Sequence, residues 1–272
     1  ELAFQSSANI LWIRTSSSEL IGLTYDSQGE VVAFHPHTMG GYSDSAGEVN
    51  AKVTSITILP SPDGTHDDLY MITKRYINGA TTYPLERMSS IFEQESIYTV
   101  TSNEEDLPIY LDYSEYVHNS PASTTVSLTA FAYRGEEVYA LADGVSVGPF
   151  TVDGSDEIEL DTAAEHIIVG FRYKNFIKTV VLNAGPFFGT AMGNVQRIDR
   201  VTARLYKSMS YSIGPDASNI ETVNTGTEIV TRDEATLFAG GPDKEAQVYI
   251  EQESAYPLTI LSLGIRGQSY DS

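Results

Sequence analysis

The chain has 272 residues, 16 basic against 37 acidic, no cysteine, and a formal net charge of −21. The absence of cysteine excludes disulfides, thiolate metal sites and cysteine nucleophiles, and the charge disfavours conventional nucleic-acid or anionic-lipid binding through the surface as a whole. No run of about eighteen apolar residues occurs, so no membrane insertion is expected, and Glu1-Leu2-Ala3-Phe4-Gln5 lacks the basic start of a signal peptide.

Seventeen tyrosines with abundant Thr, Ser and Val, and turn residues at short intervals, predict an all-β protein. Asn9–Arg14 reads as a strand. Leu20–Tyr25 and Val31–Phe34 follow as a hairpin about the turn Asp26–Gly29. Thr54–Leu59 is a further strand, closed by the turn Pro60–Gly64. Leu69–Ile77 turns at Asn78-Gly79 and returns as Thr81–Arg87. Strand, hairpin, strand, hairpin at this spacing predicts propeller-like blades over residues 1–92, about two of them and too few to close a ring. Within 1–92, His35 and His37 sit two apart and share one strand face, a spacing that could hold a metal. No third ligand is local; His66, His118, His166 or a carboxylate would have to supply it, and side-chain packing is the favoured reading.

Residues 93–180 carry 4 basic and 16 acidic side chains, most of the excess charge. Residues 93–122 read as an acidic linker with one or two short strands, punctuated at Ser102–Asp106 and at Asn119-Ser120-Pro121. An inserted small β-barrel or sandwich follows, from Val126–Phe131, Glu137–Ala142 turning at Asp143-Gly144, Gly148–Val152, Glu157–Leu160 and Ile167–Phe171. Gly144-Val145-Ser146-Val147-Gly148 matches the G-x-S-x-G pattern, but extended sequence follows where a nucleophile elbow needs a helix. The acidic stretches Asp63–Asp68 and Asp153–Glu159 lack the order of a calcium loop and read as solvated turns. With no convincing catalytic constellation, no enzymatic activity, cofactor or metal is expected.

Residues 181–272 read as a C-terminal β region packing back on the body. Val201, Ala203, Leu205, Met209, Tyr211 and Ile213 alternate with polar residues, which predicts one long half-buried strand broken only at Lys207. Ala246–Gln252 and Pro257–Gly264 are two more strands, and 268–272 a frayed end. Arg197, Arg200, Arg204 and Lys207 form the one basic cluster, and are the candidate subunit interface, pairing with carboxylates within the chain or between copies.

Leu20-Ile21-Gly22-Leu23-Thr24-Tyr25-Asp26 with Glu30-Val31-Val32-Ala33-Phe34-His35-Pro36-His37-Thr38 resembles the tail nozzle, or tail tubular protein B, family of short-tailed bacteriophages. The resemblance continues in order through Ile72–Thr81 with Leu85–Met88, Tyr139–Gly144, Ile168–Tyr173, and Gly189–Gly193 with Arg197–Thr202. It covers most of the chain and matches the C-terminal part of longer proteins. It implies a non-enzymatic structural subunit of the virion. The fold it implies is a propeller-like body with inserted β domains, the front half of that body missing here. Copies would assemble into a ring, typically sixfold, meeting the portal, adaptor and other tail proteins and letting DNA pass without specific contacts. An acidic channel wall along which DNA slides would suit the charge. The alternative is a receptor- or glycan-binding β module at the tail tip, and a tail-associated hydrolase stands well behind both.

Overall fold

A computed structural model describes the chain except for residues 27–28, 62–63, 90–96, 98–106, 183–193, 227 and 271–272. The described residues are all-β: nineteen strands in antiparallel sheets, with no helix and no closed barrel among them. They form two compact units, Glu1–Phe92 with Val100–Tyr173, and Lys174–Ser272 with Glu93–Thr99. The sequence reading divides the chain at 92 and 180 instead. Among the described residues no helix is long and apolar enough to cross a membrane.

In the first unit, β1 (Leu2–Gln5), β2 (Ile10–Arg14), β3 (Leu20–Asp26) and β4 (Val31–His37) form a sequential antiparallel meander. A second sheet holds β5 (Lys52–Pro60), β6 (Asp67–Ile77), β7 (Ala80–Thr82) and β8 (Leu85–Arg87). The strand period of two sends Leu69, Met71, Thr73, Arg75 and Ile77 of β6 to its buried face. Leu69 and Met71 pack there with Val53 and Ile56 against Trp12 and Leu20 of the meander.

The third sheet runs in the order β11 (Val145–Thr151), β10 (Glu137–Ala142), β12 (Glu157–Phe171), β9 (Asp112–Ser127). It corrects the sequence reading at two places. Asp112–Ser127 is one continuous strand through Asn119-Ser120-Pro121, longer than the short strands expected within 93–122, of which 93–96 and 98–106 lie outside the described residues, and the pieces 157–160 and 167–171 belong to a single fifteen-residue strand. Long pairing of β9 with β12 overrides the local turn residues, and the mismatch is absorbed as register shifts at Glu159/Ala164 and Ala164/His166. Residues 128–131 are not strand; the Glu115 carboxylate accepts the backbone N–H groups of Thr129, Ala130 and Phe131 there.

The second unit has one sheet ordered β13 (Asn175–Lys178), β18 (Tyr249–Gln252), β15 (Tyr211–Asp216), β16 (Asn219–Val223). The other is ordered β17 (Val230–Leu237), β14 (Val195–Ser208), β19 (Ile260–Tyr270). Ile198, Val201, Ala203 and Leu205 of β14 share a core with Tyr211, Ile213, Val248 and Ile250. The single long strand expected from the alternation is two, β14 and β15, separated at Met209-Ser210. Lys207, at φ +43°, is in the left-handed region just before that break. Of the expected frayed end 268–272, residues 268–270 are instead paired, with Gln268 opposite Arg197 and Ser269 opposite Gln196, and 271–272 lie outside the described residues.

Candidate functional site

The four basic residues chosen from sequence all lie on β14 or at its end. Strict alternation would put Arg197 and Arg200 on opposite faces. A register shift between Ile198 and Arg200 against β19 rephases the strand. Gln196 and Ile198 are therefore buried before the shift, Val201, Ala203 and Leu205 after it, and Arg197, Arg200 and Arg204 are all exposed. Arg204 holds Asp233 of β17 in a two-pronged pair, Nε to Oδ1 at 2.7 Å and Nη2 to Oδ2 at 2.9 Å. Arg197 Nε is 3.4 Å from Asp199 Oδ1, and the Lys207 ammonium is 5.6 Å from the Tyr206 ring centre. Arg200 is exposed between Leu237 on β17 and Arg266 on β19. Exposed pairs of this kind are screened by solvent and contribute little to stability.

A larger feature was missed. On the outer face of the β1–β4 meander, register places Leu2 beside Ile13, Phe4 beside Leu11, Leu23 beside Phe34 and Tyr25 beside Val32. Leu11 and Ile13 meet Leu23 and Ile21 in turn. This face is apolar across four strands, and Phe34, Leu2 and Val32 are 66%, 66% and 63% exposed. An apolar patch spanning a whole sheet marks an interaction surface rather than scattered exposure. The signal in the sequence was apolar residues at both parities, as in Ile10-Leu11-Trp12-Ile13 and Leu20-Ile21-Gly22-Leu23, the pattern of a sheet covered on both sides.

His35 and His37 lie on the opposite, inner face. The His35 ring lies over Gly22, where a Cβ would stand 2.0 Å from its Cε1. His35 Nδ1 is 2.8 Å from His37 Nε2, His35 Nε2 is 3.0 Å from Thr24 Oγ1, and the Trp12 ring packs at 5.0 Å from the His37 ring, tilted by 60°. No carboxylate joins them as a third ligand among the described residues, so packing and hydrogen bonding account for the pair. Burial, then the neighbouring His35, pushes His37 down to about 4. A histidine buried neutral favours the folded state above the unfolded value near 6.5, and that contribution is lost as pH falls from there toward 4. Asp112, pushed up to about 6 by burial, acts in the opposite sense, favouring folding as pH falls through 6. Stability curves therefore mix the two. An NMR titration of the imidazole protons is expected to show His37 still neutral at pH 5; a His37 midpoint near 6.5 would contradict its burial.

Other sequence candidates dissolve. Ser146 is in β11 opposite Leu141, in a hairpin with no helix after it, so the G-x-S-x-G match forms no nucleophile elbow. Asp153 Oδ1 accepts the N–H groups of Ser155 and Glu157, and Asp156 pairs with Arg134; this stretch is a hydrogen-bonded turn. Asp67 accepts from Ser6 and Ser7, and Asp68 pairs with His66 and Arg87; Asp63 lies outside the described residues. An open cleft of about 810 Å³ in the second unit presents Asp216, Glu221, Asp243 and Glu245. Asp216 is held there by Asn219 and by the Ser218 N–H. No family model matches the chain, and no curated protein matches it.

Proposed function

We propose that the chain is a structural subunit of a short phage tail, of the nozzle or tail tubular type, that assembles with copies of itself into a ring. The ring would enclose the DNA exit channel and dock on the portal, adaptor and other tail proteins of the virion. The observation that carries this reading is the apolar outer face of β1–β4, continuous from Leu2 and Phe4 to Val32 and Phe34. A sheet face of this kind has a burial driving force of about 25 cal/mol per Å² and needs a second apolar surface to realise it. In this reading the meander is a propeller-like blade, and its outer face meets a neighbouring copy.

The ordered sequence blocks support the reading. The charge of −21 suits a channel wall, because a surface repelling phosphates lets DNA pass without retention.

Light scattering across concentration and salt tests it. A discrete multiple of the chain mass is expected. It should persist as salt rises, because an apolar contact is little screened whereas pairing through the Arg200 and Arg204 face is weakened. A monomer at every concentration would overturn ring assembly by this chain and bring forward the glycan-binding alternative, for which the acidic cleft at Asp216 and Asp243 is the place to examine.

A further inference from the structure

We propose that His118, Glu165 and His166 form a zinc site on the exposed surface of the β9–β12 pair. The three residues each bring one donor atom within 4.8 Å of the others, and they are the one such group among the described residues. His118 and His166 are direct cross-strand partners, their rings stacked at 4.8 Å with 3° between the planes. Glu165 precedes His166 in the chain and in a regular strand would point to the opposite face. The register shift between Ala164 and His166 turns it to the same side, and His118 Nε2 is 3.1 Å from Glu165 Oε1.

The irregularity is held in place from behind. Asp143, at φ +44° in the β10–β11 turn, takes the two successive N–H groups in its carboxylate: Oδ2 accepts from Glu165 at 3.1 Å and Oδ1 from His166 at 2.9 Å. The Asp143 N–H donates in return to the His166 carbonyl at 2.8 Å. Tyr116 Oη is 2.6 Å from His166 Nδ1. That contact fixes the ring and leaves Nε2 as the nitrogen for a metal, the arrangement in which a ligating histidine gives its other nitrogen to an oriented partner.

Two imidazoles and one carboxylate on a tetrahedron leave the fourth position for water, a donor set suited to Zn²⁺. Metal–donor distances of about 2.0–2.1 Å place the donors about 3.3 Å apart. Exposed side chains on a sheet surface close that gap from 4.8 Å by rotation of Glu165 and a slight tilt of the rings. The bound ion would fasten β9 to β12 where their pairing is irregular, and a local positive charge suits so acidic a chain. The inference rests on this surface alone and is independent of the proposed ring.

The test is titration of the purified, chelator-treated full chain with Zn²⁺ by calorimetry, and with Co²⁺ followed by its visible spectrum. One saturable site per chain is expected, with the intense bands of tetrahedral Co²⁺ and a higher melting temperature in Zn²⁺. His118→Ala, His166→Ala and Glu165→Gln should each weaken binding by more than about tenfold, and Tyr116→Phe by about tenfold through loss of ring orientation. His66→Ala, in the loop before β6, should leave it unchanged. All the substituted side chains are at the surface, and the melting temperature without metal shows that each variant folds. Absence of saturable binding, or affinity in His118→Ala and His166→Ala equal to that of the unaltered chain, would overturn the site.

Discussion

Replacing Arg75 with methionine is expected to lower the unfolding free energy of the first unit by about 3–5 kcal/mol, because it strands one half of a buried ion pair. Arg75 is 0% exposed, the largest fully buried side chain among the described residues. Its Nε and Nη2 reach the two Glu86 oxygens at 2.6 and 2.8 Å, and Nη1 donates to the Gly40 carbonyl at 2.5 Å. Thr73 also donates to Glu86, and the Gly40 N–H donates to Asp112 at 2.7 Å. Tyr113 and Phe171 cover the guanidinium at 5.2 and 5.6 Å. The network thus joins β6 and β8 to β9 and β12. Methionine fills comparable volume, so the loss is one of charge compensation more than of packing. A urea melt should show a lower midpoint with an unchanged slope. The double variant Arg75→Met with Glu86→Leu should recover much of the loss, since no uncompensated carboxylate remains. A single-variant loss below about 1 kcal/mol would show that water solvates Glu86 in place of the arginine.

What could be read from sequence was local. Asn78-Gly79 and Asp143-Gly144 place the β6–β7 and β10–β11 turns because those residues tolerate the positive φ both turns use. The alternation from Val201 to Leu205 identifies the buried face of β14 because burial follows the period of two. The failures are non-local. Nothing near Asn119-Ser120-Pro121 announces a strand; pairing with β12 imposes it from about forty residues away. The same pairing gathers His118 with Glu165 and His166. The rephasing of β14 at Asp199, which puts Arg197 on the side of Arg200, is decided by β19. The apolar outer face of β1–β4 was legible strand by strand, yet only register shows Leu2, Ile13, Ile21 and their neighbours lying side by side.

Under the proposed ring assembly, Phe34→Asp combined with Val32→Asp is expected to leave monomers at concentrations where the unaltered chain assembles. Both side chains are on the outer face of β4, opposite Leu23 and Tyr25, and are mostly exposed. Their replacement in the isolated subunit leaves the inner core of Trp12, Leu20 and Leu69 untouched, so the melting temperature should change little. In an assembled contact, an aromatic anchor contributes about 2–4 kcal/mol, and a buried unpaired carboxylate adds a desolvation cost on top. Even the lower figure weakens each contact by about thirtyfold, and in a ring every subunit carries the lesion. Arg204→Glu makes the comparison decisive. That arginine is exposed and already paired with Asp233, so its reversal should leave assembly nearly unchanged, with any effect confined to low salt. If mass measurements instead show Arg204→Glu dissociating the ring while the Phe34 and Val32 variant stays assembled, the contact lies on the β14 face. The outer face of the meander would then have to be assigned to a different partner.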